Sequence, residues 1–411
     1  MVTGLGAVTP LGLSVEEFWQ GLVNGRSGIG PMTLCDPSDF PCRIAGEVKG
    51  FDPHLYLDKK EARRSARFTQ LAVAATAEAL RHARLTINSH NAERTGVLLG
   101  NGNGGFPTIE EETRVLYLEG PRRVNPLLMP LELPNMAACQ VSLTFGLKGY
   151  NSTVITACAA ATQAIGDAAE VIRRGKADAM VAGGTEAGIS RLGLAGFCGL
   201  KALSTRNAEP QRASRPFDAE RDGFIPAEGA AVLVLESLEH ASARSAPILA
   251  EVAGYGASAD AYHLVAPDPT GDGAARAIRE ALADAGLPLE AIGYVNAHGT
   301  STPLNDAAET LALKKAFGEH AYRLAISSTK SMVGHSLGAS GALEAVACVR
   351  TITDGIIHPT VNYEHPDPTC DLDYVPNQAR RAQVAAVLSN SFGFGGQNAC
   401  LVFRRWEGVQ V

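Results

Sequence analysis

The sequence predicts an α/β fold in two similar halves, and three features predict it. Short apolar runs rich in β-branched residues alternate with helical patterns along the chain. The alternation runs through twice in similar order, which suggests duplication although no repeat is visible by residue identity. No low-complexity linker intervenes, and the joint falls near 240–250, giving halves 1–245 and 246–411.

The elements follow in order. Val2-Thr-Gly-Leu-Gly6 reads as the tail of a strand cut short by Met1, followed by a glycine turn. Ser14 and Glu17 form a capping box for a helix over 15–22. Residues 59–84 read as one long helix, basic at its start and apolar-periodic after Phe68. A strand over 96–100, a glycine loop and an irregular Pro-rich stretch over 121–134 come next. Val154, Ile155 and Thr156 read as a buried strand, and the alanine-rich run after Cys158 as a tightly packed helix. Strands over 179–183 and 230–235 close the first half. The second half reads as strand 248–255, helix 273–285, strand 291–297, strand 324–328, helix 338–352, and strands 385–389 and 399–403.

Composition excludes several classes. A net charge of −7 argues against a nucleic-acid binder. Eight cysteines without C-x-x-C or metal-type Cys/His spacing fit a reducing compartment. Neither a signal-peptide pattern nor an apolar stretch of membrane-spanning length is visible, so a soluble, cytoplasmic protein is expected.

Cys158 is the first candidate catalytic residue. It falls at a strand-to-helix junction, where unpaired N–H groups and the helix dipole favour thiolate. By itself the segment fits a buried core thiol better, as most buried cysteines are. Two motifs compete with it. Gly100-Asn-Gly-Asn-Gly-Gly105 satisfies G-x-G-x-x-G, but Pro107 is expected to prevent a helix from opening there, and Glu119 lies in no strand. Gly334-His-Ser-Leu-Gly338 satisfies G-x-S-x-G, but the preceding apolar strand ends at Ile326, too early for Ser336 to sit on a nucleophile elbow. A stronger pattern is two histidines in Gly/Ser/Thr turns after strands. His298 is followed by Thr300 and Thr302, and His335 follows Lys330 by five residues. Ser389-Asn-Ser-Phe-Gly-Phe-Gly-Gly-Gln-Asn398 reads as a mobile loop carrying Phe392 and Phe394.

Taken together, these segments resemble the β-ketoacyl-[acyl-carrier-protein] synthases, the elongating type II condensing enzymes of the thiolase superfamily. The resemblance runs nearly end to end. It is carried by Val2 to Gly6, Thr156-Ala-Cys158, Ala213 to Asp218, Glu220 to Gly223, Asp260-Ala-Tyr-His263, His298 to Pro303, Ser328 to Ser331, Gly334-His335 and Asn390 to Gly396. It implies a thiolase-like fold of two pseudo-duplicated halves in α-β-α-β-α layers. It implies a decarboxylative Claisen condensation of malonyl-carrier protein with an acyl group on Cys158, in fatty acid or type II polyketide or polyene elongation. Under this reading both competing motifs become pocket loops.

The resemblance also implies roles. The N–H groups of Cys158 and Phe394 form an oxyanion hole, and Phe394 gates the pocket. Neutral His298 and His335 donate to the malonyl thioester carbonyl. Lys330 orients the His335 region through an ion pair with Glu344, with Asp306 and Glu309 as acidic neighbours. Thr300 and Thr302 hold the pantetheine arm; Phe392 lines the pocket, and Asp260 starts a second moving loop. Asn103 closes the far end of the acyl pocket near the dimer interface, where relatives carry an apolar residue; a buried amide there suits a polar or unsaturated chain. No tightly bound cofactor and no metal is expected, with a cation near Asn296, Glu344 and Asn390 left open. Lys60, Arg63, Arg64 and Lys201 dock the acidic carrier. The partner subunit is a second copy or a chain-length factor of the same fold. Two other readings compete: a non-catalytic chain-length subunit, which should lack Cys158, and a thioester hydrolase using Ser336.

Overall fold

Each half contributes one five-stranded sheet, and the two sheets share one strand order. The computed structural model describes residues 1–408, so the last three residues of the second half lie outside the described residues. The first half runs β1 (Val2–Val8), α1 (Val15–Val23), α2 (Arg67–Ala83), β2 (Thr95–Gly100), α3 (Phe106–Glu119), β3 (Asn151–Val154), α4 (Ala160–Arg173), β4 (Ala179–Glu186) and β5 (Gly229–Glu236). The second runs β6 (Glu251–Ala259), α5 (Asp272–Ala285), β7 (Ile292–Asn296), α6 (Pro303–Phe317), β8 (Ala325–Ser327), α7 (Ser340–Asp354), β9 (Ala386–Gly393) and β10 (Gln397–Arg404).

The sheets are ordered β1-β5-β4-β2-β3 and β6-β10-β9-β7-β8. In both, the first two pairings are antiparallel and the last two parallel. The duplication that residue identity hides is therefore plain in topology. Helices α4 and α7 pack against each other and against both sheets as the middle layer. Helix α2 covers the outer face of the first sheet; α5, backed by α6, covers that of the second. The result is the expected α-β-α-β-α stack.

Small residues set the layer spacing. A Cβ at Gly6 on β1 would lie 1.9 Å from the Ala75 carbonyl of α2, and one at Gly256 on β6 would lie 2.3 Å from the Ala277 carbonyl of α5. Both obstacles are helix backbone, which cannot swing aside.

Several elements differ from expectation. Strand β1 starts at Val2 and runs seven buried residues rather than surviving as a tail. The long helix over 59–84 is two, Lys59–Arg64 and Arg67–Ala83, because Ser65 and Ala66 turn extended. Gln70 satisfies the carbonyls of Ala62 and Ser65 freed by that break. A helix does open at Phe106: Pro107 occupies its first turn, where a missing N–H costs nothing. The stretch over 121–134 contains a short helix, Leu128–Glu132. The run Val154–Thr156 is no buried strand. The strand ends at Val154 and Ile155 is 57% exposed, because β3 is an edge strand. The expected strand over 248–255 is shifted to Glu251–Ala259. The Phe392–Phe394 segment is largely hairpin, with β9 and β10 paired up to Gly393 and Gln397.

Gly6→Ala and Gly256→Ala should each cost about 1–3 kcal/mol by overpacking a sheet–helix contact. Equilibrium denaturation should show similar losses for the two, because the contacts are counterparts; no loss at either would contradict the packing described.

Candidate active site

Four parallel or parallel-paired strands deliver the site from their carboxyl ends. Cys158 follows β3, His298 follows β7, Lys330 and His335 follow β8, and Phe394 follows β9. Cys158 lies in a single 3-10 turn, Ala157–Ala159, leading into α4. The equivalent turn Leu337–Ala339 leads into α7. Ala157 and Leu337, which open the two turns, both take left-handed φ, 50° and 43°.

The turns meet across the middle layer, and Gly338 also packs on the loop after β2, where a Cβ would lie 2.3 Å from Gly102 N. Cys158 Sγ is consequently 3.0 Å from His335 Nε2. The His298 and His335 ring centres are 5.5 Å apart, and the donor atoms of Cys158, His298 and His335 all lie within 4.8 Å of one another. The Lys330 ammonium beside this trio opposes a metal ion there.

Burial controls protonation. The Cys158 thiol is pushed up to about 11, chiefly by desolvation, against the pull of Lys330 and of the Phe394 and Cys158 N–H groups. The expectation that the helix N-terminus favours thiolate is thus reversed: desolvation outweighs the dipole. His298 and His335 are both held well below the usual histidine range, by desolvation first and then by Lys330. Both rings are neutral at physiological pH.

Lys330 Nζ contacts Glu344 and donates to the His298 carbonyl at 2.6 Å, with His298 Nδ1 3.3 Å away. It therefore steadies His298, whereas the sequence suggested the His335 region. Glu309 forms no ion pair; its carboxylate accepts from the N–H groups of His298 and Gly299, both at 2.8 Å, and from Asn390. Asp306 accepts from Phe217 N and faces Arg221. Buried oxygens without a hydrogen-bond partner among the described residues occur at Glu344 Oε2 and Asn390 Oδ1, on α7 and β9, and both are of a type that can ligate a cation.

A cavity of about 500 Å³ opens onto Cys158. Its wall includes His298, Thr300, Thr302, His335, Phe392, Phe394 and Asp260, with Lys201 and Leu304 among its lining residues. Thr300 and Thr302 hydroxyls are 2.9 Å apart. Asp260 accepts from Asn398 Nδ2 at 2.7 Å and donates its N–H to Gly396, while Gly395 N bonds the Leu264 carbonyl. The Asp260 loop and the Phe394 turn are thus stitched together.

Asn103 does not line this cavity. Its N–H is drawn towards Glu186 Oε1, 3.3 Å away, and its amide lies against Gly188. Gly188 borders a separate cavity of about 20 Å³ that shares only Leu337 with the first. Ser336 faces Ser340 behind His335, and a short helix, Lys330–Val333, separates it from β8, so no nucleophile elbow exists there. Lys60, Arg63 and Arg64 are exposed on the helix Lys59–Arg64, outside the cavity lining.

Sequence reasoning missed Glu186, Ser340 and Asn398. Glu186 is a buried carboxylate that gathers the N–H groups of Gly102, Asn103 and Gly338, tying the two halves at the site. Its position at the end of β4, after Gly183-Gly-Thr, was the available signal.

A cysteine from one copy of a duplicated body, faced by two neutral histidines from the other, is the arrangement of the thiolase-fold acyltransferases. Residues 1–241 match the model for the β-ketoacyl synthase N-terminal domain, and residues 249–364 match that for its C-terminal domain. The chain belongs to the β-ketoacyl synthase family. It is 52% identical over 407 residues to 3-oxoacyl-[acyl-carrier-protein] synthase 2 of Synechocystis sp., covering 99% of this chain and 98% of that protein. A type II polyketide ketosynthase solved with its acyl-carrier protein and a hexaketide superimposes with TM-score 0.91 at 36% identity, covering 99% and 98% of the two chains. The ishigamide ketosynthase/chain length factor superimposes with TM-score 0.92 at 38% identity, covering 98% of each.

With a thiol pKa of about 11, Cys158 alkylation by iodoacetamide should rise roughly tenfold per pH unit up to pH ~10. Intact-mass kinetics would show it. A plateau below pH ~8 would mean a thiolate already formed at rest.

Proposed function

We propose that this chain condenses malonyl-carrier protein with an acyl group held on Cys158, extending a fatty acid or type II polyketide chain by one two-carbon unit. The observation that carries the reading is the facing of Cys158 Sγ and His335 Nε2 at 3.0 Å inside a cavity also lined by His298.

In the first half-reaction, Cys158 sulfur attacks the thioester carbonyl of an acyl-carrier protein. The N–H groups of Cys158 and Phe394, both turned towards the sulfur, hold the oxyanion. The thiol proton ends on the departing pantetheine sulfur. In the second, the malonyl carboxylate leaves as CO2, and the electron pair delocalises into the thioester carbonyl. His298 and His335 donate hydrogen bonds to that enolate oxygen. Lys330 faces His298 Nδ1, which leaves the ring proton on Nε2, where a donor is needed. The enolate carbon attacks the acyl-cysteine, and the released thiolate takes a proton from water.

Thr300 and Thr302 hold the pantetheine arm at the cavity wall. Phe394 is the gate, and its stitching to the Asp260 loop makes the two move together. A monovalent cation, where bound, would sit against Glu344 and Asn390 and favour the ionised Glu344 that Lys330 requires. No tightly bound cofactor takes part.

The carrier protein docks through Lys60, Arg63 and Arg64, with Lys201 at the cavity. A second subunit of the same fold, either another copy or a chain-length factor, covers the open edge of β3 and the exposed Leu143, Tyr150 and Ile155. The two halves meet near residue 245, since every strand of the first sheet precedes Ser237 and every strand of the second follows Ala250. A cytoplasmic setting fits eight free thiols, and no helix among the described residues is long and apolar enough to cross a membrane. The non-catalytic reading is disfavoured by the complete Cys/His/His set, and the hydrolase reading by the position of Ser336.

Intact-protein mass spectrometry after exposure to a panel of acyl-carrier proteins should show one acyl mass added to the wild type and none to Cys158→Ala, while Ser336→Ala is still acylated. Acylation of Cys158→Ala would defeat the reading.

Arg63→Glu combined with Arg64→Glu should raise KM for carrier-bound substrate about five- to tenfold and leave turnover of a small model thioester intact. Equal losses on both substrates would place these residues in folding instead of docking.

A further inference from the structure

We propose that Ser340, backed by Ser336, is a positioning residue that reinforces the tautomer of His335 set by the Leu337 N–H and strengthens its Nε2–H as a donor to the enolate. This rests on the assignment of His335 to the decarboxylation step.

The geometry behind His335 carries the argument. Its Nε2 faces Cys158, and its Nδ1 lies 2.9 Å from Ser340 Oγ and 3.2 Å from the Leu337 N–H. A backbone N–H can only donate, so Nδ1 is an acceptor and the neutral ring carries its proton on Nε2. The Ser340 hydroxyl therefore also donates to Nδ1. With its one proton committed, its oxygen is left to accept from Ser336 Oγ at 3.3 Å. A one-way chain results, from Ser336 through Ser340 to His335 and on to the thioester oxygen. Donation into Nδ1 withdraws charge from the ring and makes Nε2–H a stronger donor, as hydrogen-bonded chains polarise one another.

The local fold builds this chain. Ser340 is the first residue of α7, and Ser336 precedes it by four. Leu337, at φ 43°, turns its N–H back onto the ring two residues earlier. All three polar side chains are buried. The other groups facing His335 are Cys158, His298, the edge of Phe224 and the Lys330 charge; Glu186 lies behind, on Gly338 N. The serine of the G-x-S-x-G motif thereby gains a role as a relay donor instead of a nucleophile.

The test compares wild type, Ser340→Ala, Ser340→Thr, Ser336→Ala and His335→Ala. Acylation is followed by intact mass and malonyl-carrier decarboxylation by CO2 release. The protonation of His335 is followed by 15N NMR of histidine-labelled enzyme. Ser340→Ala should slow decarboxylation about five- to tenfold, the value of one lost hydrogen bond, and leave acylation within about twofold. Its His335 should titrate at higher pH, because a donor that stabilised the neutral ring is gone. Ser340→Thr should restore both, and Ser336→Ala should show a smaller change in the same direction. Equal losses in the two half-reactions with an unmoved titration would reduce Ser340 to a packing residue and overturn the inference. If His335→Ala slows decarboxylation while Ser340→Ala does not, this inference alone fails; if His335→Ala leaves decarboxylation intact, the functional reading fails with it.

Discussion

The close approach of the turns at the amino ends of α4 and α7 is the constraint on which the rest depends. A Cβ at Gly338 would lie 2.3 Å from Gly102 N, and one at Gly341 would lie 2.0 Å from Thr162 Oγ1. A side chain at Gly338 would strike the backbone that follows β2, and one at Gly341 would strike Thr162 on α4. Because the two turns touch, a sulfur from the first half and an imidazole from the second meet at 3.0 Å. Glu186 clamps the same junction from β4 by binding N–H groups on both sides of it. Fixing the two backbones leaves only the buried side chains of Cys158 and His335 to set that distance, which limits its drift.

Dehydration then decides the charge state. Packed this tightly, the pocket penalises every ion, so the thiol and both imidazoles rest neutral. Lys330, beside both rings, is matched by Glu344 and by the His298 carbonyl. A neutral imidazole offers one N–H donor and one acceptor, so which nitrogen holds the proton decides what each ring can do. Two different devices fix their tautomers: Lys330 behind His298, and the Leu337 N–H with Ser340 behind His335.

Duplication supplied two equivalent turns, and the halves have since diverged in what those turns carry. Cys158 occupies the centre of Ala157–Ala159; Gly338 occupies the centre of Leu337–Ala339. The first copy keeps a nucleophile where the second keeps a glycine packed against the Asn101–Gly102 backbone, and the second places its histidines on the flanking loops. The Phe394 turn and the Asp260 loop, joined by backbone hydrogen bonds, line the same cavity.

The alternation of strands and helices, the identity of the reactive side chains and their places after strand ends were legible in the sequence, because periodicity and turn chemistry are local. The break at Ser65, the exposed edge at Ile155 and the helix opened by Pro107 were not, since each depends on what packs alongside. Neither was the common strand order of the two sheets, which residue identities had ceased to record. The sequence did not show that Lys330 reaches the His298 carbonyl as well as Glu344, or that the Asn103 N–H faces Glu186, since both contacts cross between distant segments. By itself the sequence determined which chemical groups were present and in what local setting. Only the tertiary structure decided how far apart they stand and whether they carry charge, because distance across the two halves and loss of water are properties of the packed whole.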